Sequence, residues 1–204
     1  RSTLFPYTTL FRSGRRKHLD EQVVFLAVGF ETTTPGSVIS VREAQRTGVQ
    51  NFSILTANKT MFNAYLALKG SADAFLYPGH VSTMTGMADY YRLRDEYGIS
   101  GVVAGFTGSE VLVALAAIIK KVEEGELFAL NCYPAVVTEE GSPTARKLVD
   151  SLMEPCDSEW RGLGVIKNSG LKLRPEYSEY DARIKFDLPE LEGTPRRPDR
   201  KSVV

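Results

Sequence analysis

A run of apolar residues over 23–28 that ends at Gly29 constrains the fold of this chain more than any other stretch. Uninterrupted runs rich in β-branched residues are typical of strands buried on both faces of a parallel sheet. A glutamate, three threonines and Pro35 follow, and Pro35 suits the first turn of a helix that Thr34 would cap. In open α/β sheets, ligands bind where strands end and helices begin, so the segment 29–34 predicts a binding site.

The charge balance argues against nucleic acid or a membrane as a partner. Lysine plus arginine and aspartate plus glutamate number 25 each, which gives a formal net charge of zero. The longest apolar run, Val111 to Ile119, is far shorter than the roughly 20 residues that a spanning helix needs. No secretory signal is recognisable at the start. Cys132 and Cys156 lie far apart without a CxxC motif, so we expect reduced thiols and a cytoplasmic protein.

Strand and helix patterns alternate along most of the chain. This alternation predicts an α/β fold of parallel sheets flanked by helices. The segments 27–32 and 103–108 resemble each other, so we expect two related α/β half-domains, of which the first is incomplete. The expected division is a non-native or linker tail over 1–20, part of the first α/β domain over 21–50, a second α/β domain over 51–140, a helix and ordered loops over 141–187 that return to the first domain, and a tail over 188–204.

Four expectations about local structure accompany this division. A continuous helix should run from about 84 to 97, and the segment 154–180 should be ordered loop with short extended pieces. A helix over 110–124 should start at a Ser109 cap and be buried, because its centre is apolar nearly all round. Cys132 should be a buried thiol within an apolar strand.

Polar loops follow three of the predicted strands, at 29–34, 78–83 and 105–109. Because parallel strands end at the same edge of a sheet, we expect the three loops to surround one hollow. Their glycines and hydroxyls are suited to cradle an anion. The same pattern is compatible with Thr34, Thr83 and Ser109 acting only as helix caps.

Two titratable residues stand out in these loops. His80 is the only histidine outside the basic N-terminal stretch, and it is either a structural hydrogen-bonding residue or a ligand. Glu31 would act as a general base, as a ligand or as a partner of the helix dipole. Walker, Rossmann, zinc and nucleophile-elbow motifs are missing from the sequence.

Several motifs occur in a fixed order between about 21 and 186. They are Gly29-Phe30-Glu31-Thr32-Thr33-Thr34-Pro35, Pro78-Gly79-His80-Val81-Ser82-Thr83, Val103-Ala104-Gly105-Phe106, Trp160-Arg161-Gly162-Leu163-Gly164, and Ser169-Gly170-Leu171-Lys172-Leu173-Arg174-Pro175-Glu176-Tyr177 with Phe186 after it. Together they resemble HypD, a family of nickel–iron hydrogenase maturation (formation) proteins.

The resemblance implies an accessory assembly scaffold rather than a conventional enzyme. Members of this family, with a HypC-type chaperone, hold an iron that acquires two cyanides and one carbon monoxide. Cyanide comes from a HypE-type partner, and the full-length family also binds a 4Fe–4S cluster. By motif matching, His80 is a candidate iron ligand. The reacting centre would comprise Glu31, Thr32, Thr33, Thr34 and His80, with Gly29, Gly79, Ser82 and Thr83 beside the bound group.

The sequence departs from the family pattern in ways that bear on activity. The family's CxxC-type motif upstream and its cluster cysteines downstream are both missing, and Cys132 replaces a usual polar residue. We therefore expect a truncated form that cannot mature a hydrogenase or hold the cluster by itself. Two other classes stay open: an α/β enzyme or binding domain for a small phosphorylated or carboxylated ligand, and an interaction module without chemistry.

Overall fold

A computed structural model describes residues 21–189, which form three small sheets with helices packed against them. The first sheet pairs β1 (Val23–Gly29) with β2 (Phe52–Asn58) in parallel, joined by α1 (Thr34–Arg46). The second is also parallel, in the order β3 (Phe75–Pro78), β4 (Gly101–Ala104) and β5 (Ala129–Asn131). The predicted α/β fold is confirmed. The tail expected over 1–20 lies outside the described residues, as does all but the start of the tail over 188–204.

The remaining elements follow the same alternation until residue 142. The helices of the central part are α2 (Phe62–Ala67), α3 (Gly79–Thr85), α4 (Ala88–Tyr97) and α5 (Gly108–Glu124). The chain then forms α6 (Pro143–Leu152), an antiparallel pair of β6 (Met153–Trp160) and β7 (Gly164–Leu173), a 3-10 helix (Pro175–Tyr180) and α7 (Ala182–Lys185). Among the described helices, none is long and apolar enough to cross a membrane.

The first sheet shares one core with the last third of the described chain. Val38 and Val41 of α1 are fully buried against Ile54 of β2, and Leu152 and Met153 belong to the same cluster. β2 falls within the range expected for the second domain, yet it pairs with β1 along its whole length. Two single bridges extend this arrangement: Ile54 of β2 bridges to Asp181, which follows the 3-10 helix, and Lys59, which follows β2, bridges to Gly170 of β7.

β1 is half exposed, not buried on both faces as its sequence predicts. Val24, Leu26 and Val28 are 40%, 63% and 69% exposed, while Ala27 is buried. Among the described strands, β1 pairs with β2 alone. An apolar run therefore does not by itself show that both faces of a strand are covered.

The helix predicted over 84–97 is broken at Gly86, where α3 ends. Gly86 has a φ of +72°, and a Cβ at this position would lie 2.3 Å from the carbonyl oxygen of Glu139. The loop at 139–141 thus packs tightly against the break. A close backbone approach of this kind requires glycine and stops the helix.

The segment predicted as loop over 154–180 contains a regular hairpin. β6 and β7 pair from Met153–Leu173 to Trp160–Gly164, with one irregularity between Cys156 and Ser158. Cys156 consequently lies in a strand, whereas Cys132 lies just beyond β5, and both thiols are half-buried. Burial raises the pKa of each thiol above its usual value.

α5 differs from its prediction at its start and along its exposed face. Thr107, not Ser109, caps the helix: the Thr107 hydroxyl accepts from the Glu110 amide, and the Glu110 carboxylate accepts from the Thr107 amide at 2.9 Å. Only Ala114 of the helix is fully buried, while Leu112 and Ile119 are 68% and 60% exposed. The apolar centre therefore packs on β4 along one side only.

Candidate functional site

The first polar corner is a tight turn between β1 and α1. Gly29 has a φ of +148°, and a Cβ there would lie 2.0 Å from the Thr33 hydroxyl, so only glycine fits. The hydroxyls of Thr33 and Thr34 donate to the carbonyl oxygen of Phe30 at 3.1 and 2.9 Å. Neither threonine caps α1 through its side chain, and Thr34 is already helical, so the predicted Thr34 cap is wrong. These hydroxyls hold the turn in shape.

The backbone amides of this turn, which an anion would need as donors, are already hydrogen-bonded within the turn. The Thr33 and Thr34 amides donate to the Phe30 carbonyl at 3.0 and 3.2 Å, and the Gly36 amide donates to the Thr33 carbonyl. Pro35 has no N–H to offer. A phosphate cradle at a helix start requires free N–H groups that point at the ligand, so this geometry weighs against an anion site here.

Glu31 points away from this turn into the protein. Its Oε1 accepts a hydrogen bond from the Met61 amide at 2.7 Å, and its Oε2 is buried without a partner among the described residues. Burial, reinforced by the nearby Asp89 carboxylate, raises the pKa of Glu31, although the Met61 amide opposes the rise. The side chain adjoins a cavity of about 10 Å³ that is also lined by Met61, Phe62, Tyr65, Val81, Thr85, Asp89, Tyr90 and Leu93.

A buried tyrosine cluster connects this cavity to the second corner. Tyr90 lines the cavity, and its hydroxyl lies 2.8 Å from the Oγ of Ser82, which is fully buried. Tyr77 stacks on Tyr90 with ring centroids 4.1 Å apart, and Tyr65 meets Tyr77 edge to face. Burial raises the pKa of Tyr90 to about 12, so this phenol stays protonated. Tyr90 thus contacts Ser82 and lines the same cavity as Glu31.

The second and third corners lie against each other. A Cβ on Gly79 would come within 2.6 Å of the Ala104 carbonyl oxygen, so glycine permits the approach. His80 is exposed, and its ring lies 5.2 Å from the ring of Phe106. The hydroxyl of Thr83 donates to the His80 carbonyl at 2.7 Å inside α3 rather than capping a helix.

The predicted site residues lie in neighbouring corners, but Glu31 and His80 face different surroundings. From α3, Val81 and Thr85 line the cavity beside Glu31, whereas His80 lies on the exposed side of that helix with Phe106. Gly29, Thr33 and Thr34 stay in the first corner, while Gly79, Ser82 and Thr83 belong to the second. That Glu31, Thr32, Thr33, Thr34 and His80 line one hollow therefore stays a prediction.

Sequence reasoning missed the partner of the first corner, which is the tip of the β6–β7 hairpin. The ring of Trp160 lies 5.8 Å from that of Phe30, and the Lys59 ammonium sits 4.8 Å from the Trp160 ring centre. The indole N–H donates to the buried Ser169 hydroxyl at 2.7 Å, and the Ser169 carbonyl accepts from the Thr60 amide. Both hairpin motifs were visible in the sequence, but nothing in their spacing indicated this contact.

The thiols present do not fit a 4Fe–4S cluster. The chain has two cysteines, and such a cluster needs four thiolates. Within residues 21–189, no group of three or more His, Cys, Asp or Glu side chains is arranged to hold a metal ion.

Comparison with known proteins gives a consistent result. The HypD family model, described as "Hydrogenase formation hypA family", matches residues 12–202. A putative hydrogenase expression/formation protein from Methanocaldococcus jannaschii is 38% identical over 179 residues, which is 86% of this chain and 50% of that protein. The hydrogenase maturation factors HypD of Cupriavidus necator and Azotobacter vinelandii are 35% and 36% identical over 184 residues, 85% of this chain and 48% of each relative. The chain spans about half the length of these curated relatives.

Proposed function

The chain belongs to the HypD family, and from that premise we propose that it acts as an assembly scaffold in the maturation of nickel–iron hydrogenase. The observation that supports this role best is the contact between Phe30 and Trp160, with ring centroids 5.8 Å apart. It brings together two motifs of the family resemblance that are distant in the sequence. A scaffold needs such a fixed corner, because its task is to position a group for transfer between proteins.

In the finer form of this proposal, the cargo is an iron that carries two cyanides and one carbon monoxide. A HypC-type chaperone shares the iron, a HypE-type partner donates cyanide, and the finished group passes to the hydrogenase in the cytoplasm. His80 is the candidate iron ligand, since it is exposed and neutral imidazole is a common metal ligand. The neighbouring Phe106, 65% exposed, offers an apolar contact for a docking partner.

Glu31 has the surroundings of a residue that can take part in proton transfer. Its buried Oε2 lacks a partner among the described residues, and burial raises the pKa of the carboxyl above its ordinary value, although the Met61 amide opposes the rise. A carboxyl poised in this way can give or accept a proton at Oε2. Thr33 and Thr34 act as positioning residues, because their hydroxyls fix the Phe30 carbonyl and with it the turn.

A graft tests the function without depending on this chain alone. The matched segment of the Cupriavidus necator relative is replaced by the corresponding residues of this chain, and hydrogenase activity is measured in a strain that lacks the native factor. We expect activity from the graft and its loss in Glu31→Gln and His80→Ala, but not in Glu176→Gln, which alters an exposed carboxylate. The ungrafted chain should restore no activity. A folded but inactive graft, or full activity of both site variants, would contradict the proposal.

A further inference from the structure

The junction between α3 and α4 is held by the loop that precedes α6. Gly86 separates the two helices. The Met87 amide, just after the break, donates to the Glu139 carbonyl at 3.0 Å. The Ser142 amide in turn donates to the Met84 carbonyl at 3.1 Å. Because a helix as short as α3 has little stability of its own, contacts from outside determine how it is oriented.

Arg146 of α6 joins the end of α3 to this loop. Its Nη1 donates to the Thr85 carbonyl at 3.3 Å, and its Nη2 donates to the Glu140 carbonyl at 2.7 Å. Thr85 is the last residue of α3, so its carbonyl is one of those that a helix leaves without an internal partner. A planar guanidinium presents its N–H groups in a fixed fork, which suits the binding of two carbonyls at once. Arg146 therefore connects α3, the loop and α6.

α6 provides a firm base for this connection. Leu152 at its end is buried in the core of the first sheet, and Leu148 and Val149 pack against the same core. α3 has seven residues and contributes no side chain to that core. The hydrogen bonds of Arg146 thus orient α3 relative to the first sheet, from which Glu31 comes.

α3 carries residues that face both parts of the candidate site. His80 is exposed beside the ring of Phe106, whereas Thr85 lines the cavity next to Glu31. A rotation of α3 at its junction with α4 would therefore move His80 away from Phe106 and change the wall of the cavity at the same time.

The charge of Arg146 acts on the same cavity. Asp89 lines the cavity together with Glu31. Burial raises the pKa of Asp89, and the positive charges of Arg92 and Arg146 oppose the rise. The Asp89 side chain is 41% exposed, so solvent weakens this electrostatic effect. The hydrogen bonds to the two carbonyls are consequently the stronger argument for a role of Arg146.

We propose that Arg146 is a positioning residue for His80: by binding the Thr85 and Glu140 carbonyls at once, it sets the orientation of α3 against α6 and the first sheet. Arg146 acts through the helix and not by contact with a bound group. The importance of His80 rests on the proposed function, whereas the orientation of α3 can be tested without it.

The ring signal of His80 in the NMR spectrum of the purified chain tests this orientation. The chain has two histidines, and His80→Gln identifies the signal that belongs to His80. Because the Phe106 ring lies 5.2 Å away, its ring current makes this signal sensitive to a movement of α3. We expect Arg146→Gln to shift the signal by more than its line width. Lys147→Gln, the matched control, removes the next exposed charge on the same helix and should leave the signal in place.

A conservative variant tests the bridge between the two carbonyls. Arg146→Lys keeps the positive charge but lacks the planar fork, so it should shift the His80 signal as well. A signal that moves in Arg146→Gln but not in Arg146→Lys would overturn the bridge. An unchanged signal in both variants would overturn the proposal even if their unfolding midpoints in urea fall, because Arg146 would then only stabilise the fold.

The graft into the Cupriavidus necator relative separates this inference from the proposed function. Arg146→Gln in the graft should lower hydrogenase activity by about tenfold or more, since a small misplacement of a functional group has a large effect. Lys147→Gln should not lower it. Full activity of the Arg146→Gln graft would overturn the positioning role. Inactivity of the unsubstituted graft would contradict the proposed function instead, and the NMR signal would still decide the orientation of α3.

Discussion

Substitution of Ser169 by alanine should loosen the hairpin from the first corner. Ser169 is fully buried, accepts from the Trp160 indole at 2.7 Å and donates to the Ile166 carbonyl at 2.8 Å. Alanine removes both hydrogen bonds, each worth about 0.5–1.5 kcal/mol, so the loss of stability is about 1–3 kcal/mol. With a urea m-value of about 1–3 kcal/mol/M, the unfolding midpoint should fall by about 1 M.

The assay uses the only tryptophan of the chain, which is Trp160 itself. Its fluorescence reports global unfolding, and a red shift of the native emission would show that the indole has become more exposed. Ser151→Ala is the matched control, because its hydroxyl also donates to a backbone carbonyl at 2.7 Å but at an exposed position. Equal unfolding midpoints for the two variants, with unchanged native emission, would refute the reasoning.

Three further features of the structure can be tested by urea unfolding. Thr107→Ala should cost about 1 kcal/mol through loss of the α5 cap, whereas Ser109→Ala should change stability little, and the reverse order would contradict the assigned cap. Burial raises the pKa of Glu31 in the folded state, so the free energy of unfolding should decline as pH rises through that pKa. Glu31→Gln should reduce this decline. An unchanged dependence of the free energy of unfolding on pH would contradict the burial of the carboxyl. Gly98→Ala should lower the free energy of unfolding by about 1–2 kcal/mol, because of its positive φ alone. Gly86→Ala should lower it more, because its Cβ would also collide with the backbone of the loop at 139–141. Equal losses for the two variants would contradict the close packing at Gly86.

The sequence was informative wherever a local rule decided the structure. Alternating patterns predicted the α/β class, and Pro35 fixed the start of α1 to within a residue. The α5 cap was predictable as well, since Thr107 and Glu110 have the spacing of a capping box and Ser109 has no glutamate three residues later. The cap was wrongly assigned to Ser109 because the spacing of the capping box was not used to choose between Thr107 and Ser109.

Non-local pairing explains what could not be predicted. The β6–β7 hairpin has weak strand propensity, because it contains Pro155, glycines and many polar residues, so its strands depend on each other and on the first sheet for their stability. Glu31 is surrounded by residues between 61 and 93 and accepts its hydrogen bond from the Met61 amide, so its environment comes from a different part of the chain. An apolar run is buried only where other elements pack on it, and the sequence of the run does not reveal those elements. The burial predicted for both β1 and α5 was therefore wrong on one face of each.

The exposed apolar face of β1 has a practical consequence for concentrated samples. The side chains of Val24, Leu26 and Val28 are all on this face, and no lysine or proline interrupts the stretch 23–28. Contiguous apolar side chains on a surface promote association between molecules. Aggregation during storage should therefore involve this face, and Leu26→Lys should slow the loss of protein from a concentrated sample.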